Sequence, residues 1–223
     1  MKAILSLLLL LTLNTYAKEN VYHKSTKRTY QIEKCEGWSL YVNVDILKET
    51  KWPAAKQLLT KQLSQIKKVL KDSVIKSMQK VSIYIDNPTN GKNVAQYHPS
   101  AKWLSKNSYS PKKVGCVDIA NISSFTRYSK TQPWVLLHEL IHSYHHQVLK
   151  FNHKEIMDCY KEVMVTDKYK KVSYINDRTR NHYARTDHKE YFSEAAEVYF
   201  GKNDFFHSTK LKFSSMIRAS VSF

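Results

Sequence analysis

Glycine, proline and cysteine are scarce in this 223-residue chain, with four, five and three copies. Three cysteines without CxxC spacing exclude a disulfide scaffold and a zinc ribbon. No stretch reads as a long disordered linker, so a single domain is expected. Acidic residues are also few, 19 Asp and Glu against 36 Lys and Arg, leaving a net charge of +17. Beyond residues 3–13 no run is apolar enough to cross a bilayer, which takes about 20 residues. No repeat of 20 to 50 residues is visible.

The one apolar run that is present follows Lys2 and ends at Thr15-Tyr16-Ala17. That order matches the charged, apolar and small-residue regions of a secretory signal, with cleavage expected after Ala17. An uncleaved anchor is the alternative. Residues 18–223 would then be a secreted or periplasmic domain, large enough to bury a core. In an oxidising compartment Cys35, Cys116 and Cys159 could form at most one internal disulfide. The basic excess would suit an acidic partner. The lysines are spread along the chain with no nucleic-acid motif beside them, so a solvated surface is the simpler reading and no specific nucleic acid is expected.

Alternation of Trp38, Leu40, Val42, Val44 and Ile46 with polar residues predicts a strand over residues 38–46. From residue 53 to 78, Leu59, Leu63, Ile66, Leu70, Val74 and Met78 recur at helical spacing, which predicts one long amphipathic helix with a basic face. Short strands are expected at 81–85 and 114–120, with turn formers at 86–91 and an aromatic-rich loop at 97–104. Helices are expected at 133–149, where Pro133 suits a first turn, and at 154–165. A hairpin is expected from 169–175 and 178–183. Asp187 should cap a last helix that Gly201 ends.

The segment His138-Glu139-Leu140-Ile141-His142 holds the most chemistry. On a helix the two histidines lie one turn apart on one face, where both imidazoles can reach a single Zn²⁺ at about 2.0 to 2.1 Å. Glu139 would stand beside the metal's open position, ready to take a proton from water. With ten histidines and ten glutamates in the chain, shuffling would produce HExxH roughly 0.02 times per sequence. A helix that carries these residues for ordinary packing is the bland alternative. A catalytic zinc needs a third protein ligand. His146 is eight residues from His138, about 12 Å along the axis, too far to share the ion. It is either an outer hydrogen-bond partner or exposed, and exposure is the simpler expectation. Glu190, Glu194 and Glu197 stand at i, i+4 and i+7 on the last predicted helix, and any of them could face the histidines. Asp187 and Glu190 also resemble a capping box, which gives Glu190 a purely local alternative role.

The chain here resembles the gluzincin metallopeptidases, whose third zinc ligand is a Glu on a helix downstream of HExxH. More closely, residues 183–195 are similar to the Tyr-Gly-Arg-Thr-Asn-x-x-Glu-Phe-Phe-Ala-Glu-Ala block of the anthrax lethal factor catalytic domain family, with Ala184 in place of Gly. Tyr97-His98-Pro99 and Asn203-Asp204-Phe205-Phe206 are similar to blocks of secreted zinc peptidases. The resemblance implies that Glu190 completes the ligand set with His138 and His142. It also implies that Tyr183 stabilises an oxyanion and that Glu194 orients a ligating histidine by accepting its other ring N–H. The implied fold is α+β and zincin-like, a small mixed sheet packed on the HExxH helix with a helical C-terminal part. The expected activity is that of a one-zinc endopeptidase acting on proteins or peptides. Residues 114–120 are the candidate strand for pairing with extended substrate. The competing expectation is a secreted, non-catalytic metal-binding protein whose basic surface engages an acidic partner.

Overall fold

The computed structural model describes residues 19–87, 94–175, 178–201, 204, 205, 217 and 221. The expected leader, most of the turn at 86–91 and the hairpin turn Asn176-Asp177 lie outside the described residues. The domain is mixed α+β. Strands β1 (Asn20–His23), β2 (Arg28–Cys35) and β3 (Trp38–Asn43) form an antiparallel meander. Cys35 pairs with Trp38 across a two-residue turn. Glu36 and Gly37 have φ of 52° and 99° there, the doubly positive geometry of a tight hairpin. A Cβ at Gly37 would collide with the Gln79 side chain.

The chain then crosses through α1 (Trp52–Val69) and α2 (Asp72–Met78) to β4 (Ile83–Ile85), which lies parallel to β3. β5 (Gln96–Tyr97) and α3 (Ala101–Lys106) precede β6 (Val117–Ile119), which is parallel to β4 and antiparallel to β5. The sheet order is β1-β2-β3-β4-β6-β5, so β5 is an outer strand. Then come α4 (Ile122–Tyr128), α5 (Val135–Gln147), α6 (Lys154–Met164), the small hairpin β7 (Val172–Tyr174) and β8 (Arg178–Arg180), and α7 (His188–Phe200).

Several expectations need correction. The helix foreseen over 53–78 is two helices, broken where Leu70 adopts extended backbone at φ −106° and ψ 150°. Leu59, Leu63 and Ile66 on one side of the break and Val74 and Met78 on the other are all buried. Spacing continues in phase through the break, which is why periodicity hid it. Asp72 sits in the first turn of α2, where its charge suits the helix N-terminus. The meander strand β2 escaped notice because its polar residues interrupt a clear alternation. The strand foreseen at 114–120 is shorter and lies between β4 and β5, so it offers no free edge. All three cysteines are free. No helix among the described residues is long and apolar enough to cross a membrane.

Two layers of packing place the sheet's outer strand. Leu40, Val42, Ile83, Ile85, Val117 and Ile119 join the apolar cluster that includes buried residues of α1, α2 and α5. A buried ionic network ties the segment around β6 to the sheet. Lys113 Nζ donates to Asp86 Oδ2 and Asp118 Oδ2, each at 2.8 Å. Asp86 also accepts from Tyr30 Oη at 2.6 Å and Asn43 Nδ2 at 2.8 Å, and pairs with Arg28. Burial opposes ionisation of Asp86, but Lys113 and Arg28 hold its carboxyl well below the usual range. Replacing Lys113 by Met would strand Asp118 without its cation, and is expected to lower unfolding stability by about 3 to 5 kcal/mol in urea titration.

His145 and His182 are buried, and burial, the larger influence on each, lowers their pKa to about 3 and about 4. Both stay neutral when folded but take up protons in the unfolded chain below about pH 6.5, so their contribution falls as pH drops from there towards 4. Neither ring nitrogen of His145 has a hydrogen-bond partner among the described residues. His145→Leu should therefore match or exceed the parent's melting temperature at pH 7 and lose less of it by pH 4.5. A steeper acid loss in the variant would contradict this.

Candidate metal centre

Helix α5 carries His138, Glu139 and His142, all buried beneath a cleft of about 400 Å³. Its neighbour α7 starts cleanly because the Asp187 side chain accepts from the Lys189 and Glu190 amides, both unsatisfied in the first turn. The capping box expected from Asp187 and Glu190 is thus half used. The Glu190 carboxylate turns instead towards α5. Its Oε2 lies 3.0 Å from His138 Nε2 and 3.2 Å from His142 Nε2, and the two imidazole nitrogens are 3.1 Å apart. Ligands at about 2.0 to 2.1 Å in a tetrahedron stand about 3.3 to 3.4 Å from one another. Two nitrogens and one oxygen so converged, each with a lone pair to give, fit a divalent metal ion.

The three glutamates of α7 share one stripe, since positions i, i+4 and i+7 nearly superimpose around a helix axis. Ala195 and Ala196, both fully buried, keep the side chains around that stripe small. Glu197, about 10.5 Å along the axis from Glu190, reaches the other side of the His138 ring. Its Oε1 is 2.6 Å from His138 Nδ1, whereas Glu194 Oε1 is 3.9 Å away. The ring N–H expected to go to Glu194 therefore goes to Glu197. A proton on Nδ1 leaves the Nε2 lone pair facing Glu190 and His142, the tautomer a metal needs. The group His138, Glu194 and Glu197 is close enough to suggest a second ion. The 2.6 Å separation is hydrogen-bond length and marks a supporting contact.

Electrostatics follow from this sandwich. Burial disfavours a charged His138, yet Glu190 and Glu197 hold its pKa well above the ordinary value. Burial likewise opposes ionisation of Glu190, but hydrogen bonds with His138 and His142 hold its carboxyl well below the usual range. Glu194 and Glu197 are raised, chiefly by burial. Comparison with protein-family models, with curated proteins and with solved structures finds no match to this chain. The site therefore rests on its own geometry.

Glu139 and Tyr183 line the same cleft as the three converging groups. Glu139 Oε2 accepts the Tyr97 backbone N–H at 2.7 Å, so the outer strand β5 fixes this carboxylate. Tyr183 lies on a single 3-10 turn, Tyr183–Arg185, and is half exposed. Its phenol is raised by burial and by Glu190, and so remains a proton donor at neutral pH.

His146 takes the role of an outer hydrogen-bond partner and is not exposed as the simpler expectation had it, and its partner Tyr97 belongs to the Tyr97-His98-Pro99 block. His146 Nδ1 meets Tyr97 Oη at 2.7 Å, and Gln147 Nε2 donates to both Tyr97 Oη and the Gly115 carbonyl, at 3.2 and 2.9 Å. These bonds lash β5 to the C-terminal end of α5. The sequence signs are the Tyr97-His98-Pro99 block and the position of His146 and Gln147 about one turn beyond His142. Glu197 had a clearer one, its i+7 spacing from Glu190.

Glu197→Ala should weaken metal binding about 10- to 100-fold, as loss of such outer partners typically does. Competition with a chromogenic chelator measures it, and an unchanged affinity would assign the His138 contact no role.

Proposed function

We propose that this chain is a zincin-like, zinc-dependent endopeptidase. The observation that carries the reading is the convergence of His138 Nε2, His142 Nε2 and Glu190 Oε2 to within 3.0 to 3.2 Å of one another. A base and a hydroxyl donor share their cleft. Two nitrogens and one carboxylate oxygen suit zinc, with a position left open to the cleft.

Zinc held by these three residues would supply Lewis acidity that lowers the pKa of water from about 15.7 to about 7 and polarises a peptide carbonyl. Glu139 takes the proton from the attacking water and passes it to the departing amine. One of its oxygens is anchored by Tyr97, which leaves the other for that transfer. Tyr183 donates its phenolic hydrogen to the oxygen on which negative charge develops. Tyr183 and the β5 residues Gln96 and Tyr97 line the same cleft, so a peptide bound along β5 would bring its carbonyl into the space that the hydroxyl shares. Glu197 keeps His138 in the ligating tautomer.

Extended substrate would pair with β5 in place of the strand first considered, β6, because β6 already has partners on both sides. The Tyr97 N–H points outward to Glu139, and strand alternation puts the Ala95 backbone groups on that same outer edge. The resemblance of residues 183–195 to the lethal factor block supports the same assignment of Glu190 and Tyr183. The apolar run at the N-terminus supports a secreted or periplasmic enzyme.

Glu139→Gln should retain one zinc per chain while cleavage of casein falls at least 10³-fold. Tyr183→Phe should lower kcat by about 10²- to 10³-fold with little change in zinc content. Zinc-loaded parent protein that cleaves neither casein nor a peptide library would sink the peptidase reading. A chelator-free preparation without metal would sink the metal centre too.

A further inference from the structure

A second hollow, about 210 Å³, opens beside His138 at the N-terminal end of α5 and shares Ala95, His138, Glu139 and Tyr183 with the main cleft. This volume is below the range for a drug-sized ligand and suits one side chain. Its lining combines apolar Val94, Ala95 and Val135 with the acids Glu139, Glu194 and Glu197. We propose that it is a subsite for a cationic side chain, lysine or arginine, on the residue flanking the bond that is cut. The proposal rests on the peptidase reading and names the substrate class for that site.

The first support is an unmet hydrogen-bonding demand. Glu197 is 1% exposed, and only its Oε1 is used, by His138. Its Oε2 has no hydrogen-bond partner among the described residues. Buried carboxylate oxygens are ordinarily satisfied, and an ammonium or guanidinium group would do so with a charge-assisted bond. A purely apolar side chain would leave the demand unmet.

The second support is the distribution of charge. The chain carries 36 basic residues against 19 acidic ones, yet among the described residues no Lys or Arg lines this hollow. Asp204 adds a further acid, facing Glu194 from an adjoining space that Tyr183 also lines, and its Oδ1 lacks a partner among the described residues. Arg180 lines that adjoining space, where it stacks on Tyr174, and Lys189 lines the main cleft. Neither reaches the hollow itself. A lysine or arginine side chain matches both surfaces, its methylenes along Val135 and Ala95 and its charge at the glutamates.

Zinc-loaded Glu139→Gln protein, which binds without turnover, would be titrated with capped alanine-glycine peptides carrying one central lysine or, in its place, norleucine. The lysine peptide should bind at least tenfold tighter, and Glu194→Gln in the same background should cut that ratio severalfold. Equal affinities, preference for norleucine, or no binding of either peptide overturns the proposal. Cleavage-site profiling of the parent separates the two readings. Cleavage without Lys or Arg beside the scissile bond removes this proposal and leaves the peptidase. Lysine-selective binding without any cleavage removes the peptidase and leaves a cation-binding subsite.

Discussion

The imidazole of His138, clasped by Glu190 on one nitrogen and Glu197 on the other, is the contact on which the site depends. Both glutamates come from one helix, and both nitrogens belong to one ring, so α5 and α7 must cross at one separation and one rotation. Small residues on α7 allow that approach, and the Asp187 cap sets where the helix begins. A shift of α7 by a single residue would turn the three-glutamate stripe about 100° away from α5. The candidate metal centre is therefore a property of helix packing as much as of residue identity.

The sheet supplies the other wall. β5 is only two residues long, and its pairing with β6 alone would hold it weakly. Two devices secure it. From beneath, Lys113, Asp86 and Asp118 pin the adjoining segment in a buried ionic network that cannot lose one member without exposing another's charge. From the side, Tyr97 is held by His146 and Gln147 while its amide holds Glu139. Glu139, the outer strand and α5 are thereby one mechanical unit.

Charge is divided within the molecule in a way that composition conceals. A strongly basic chain places Glu139, Glu190, Glu194 and Glu197 around the main cleft and its adjoining hollow, nearly all buried. Keeping so many carboxylates together costs stability unless cations join them, and burial accordingly raises Glu194 and Glu197. A metal ion held by His138, His142 and Glu190 would answer part of that demand, and a cationic side chain would answer the rest.

What the sequence determined by itself was local: α5 and its HExxH face, the Asp187 cap, the approximate bounds of α6 and α7, and the existence of the short strands β4 and β6, though not their parallel pairing. Each follows from spacing and capping within a few residues, which is the range over which backbone periodicity acts. The break at Leu70 was hidden because a helix can stop and restart without losing its apolar phase. Glu190 could be selected from the three glutamates of α7 only through family resemblance, since all three lie on the same stripe. Tertiary structure alone decided that Glu197 and not Glu194 takes the His138 N–H, that β5 and not β6 is the outer strand, and that His146 serves Tyr97. Those outcomes depend on the distance and rotation between elements far apart in the chain, and no local pattern encodes either quantity.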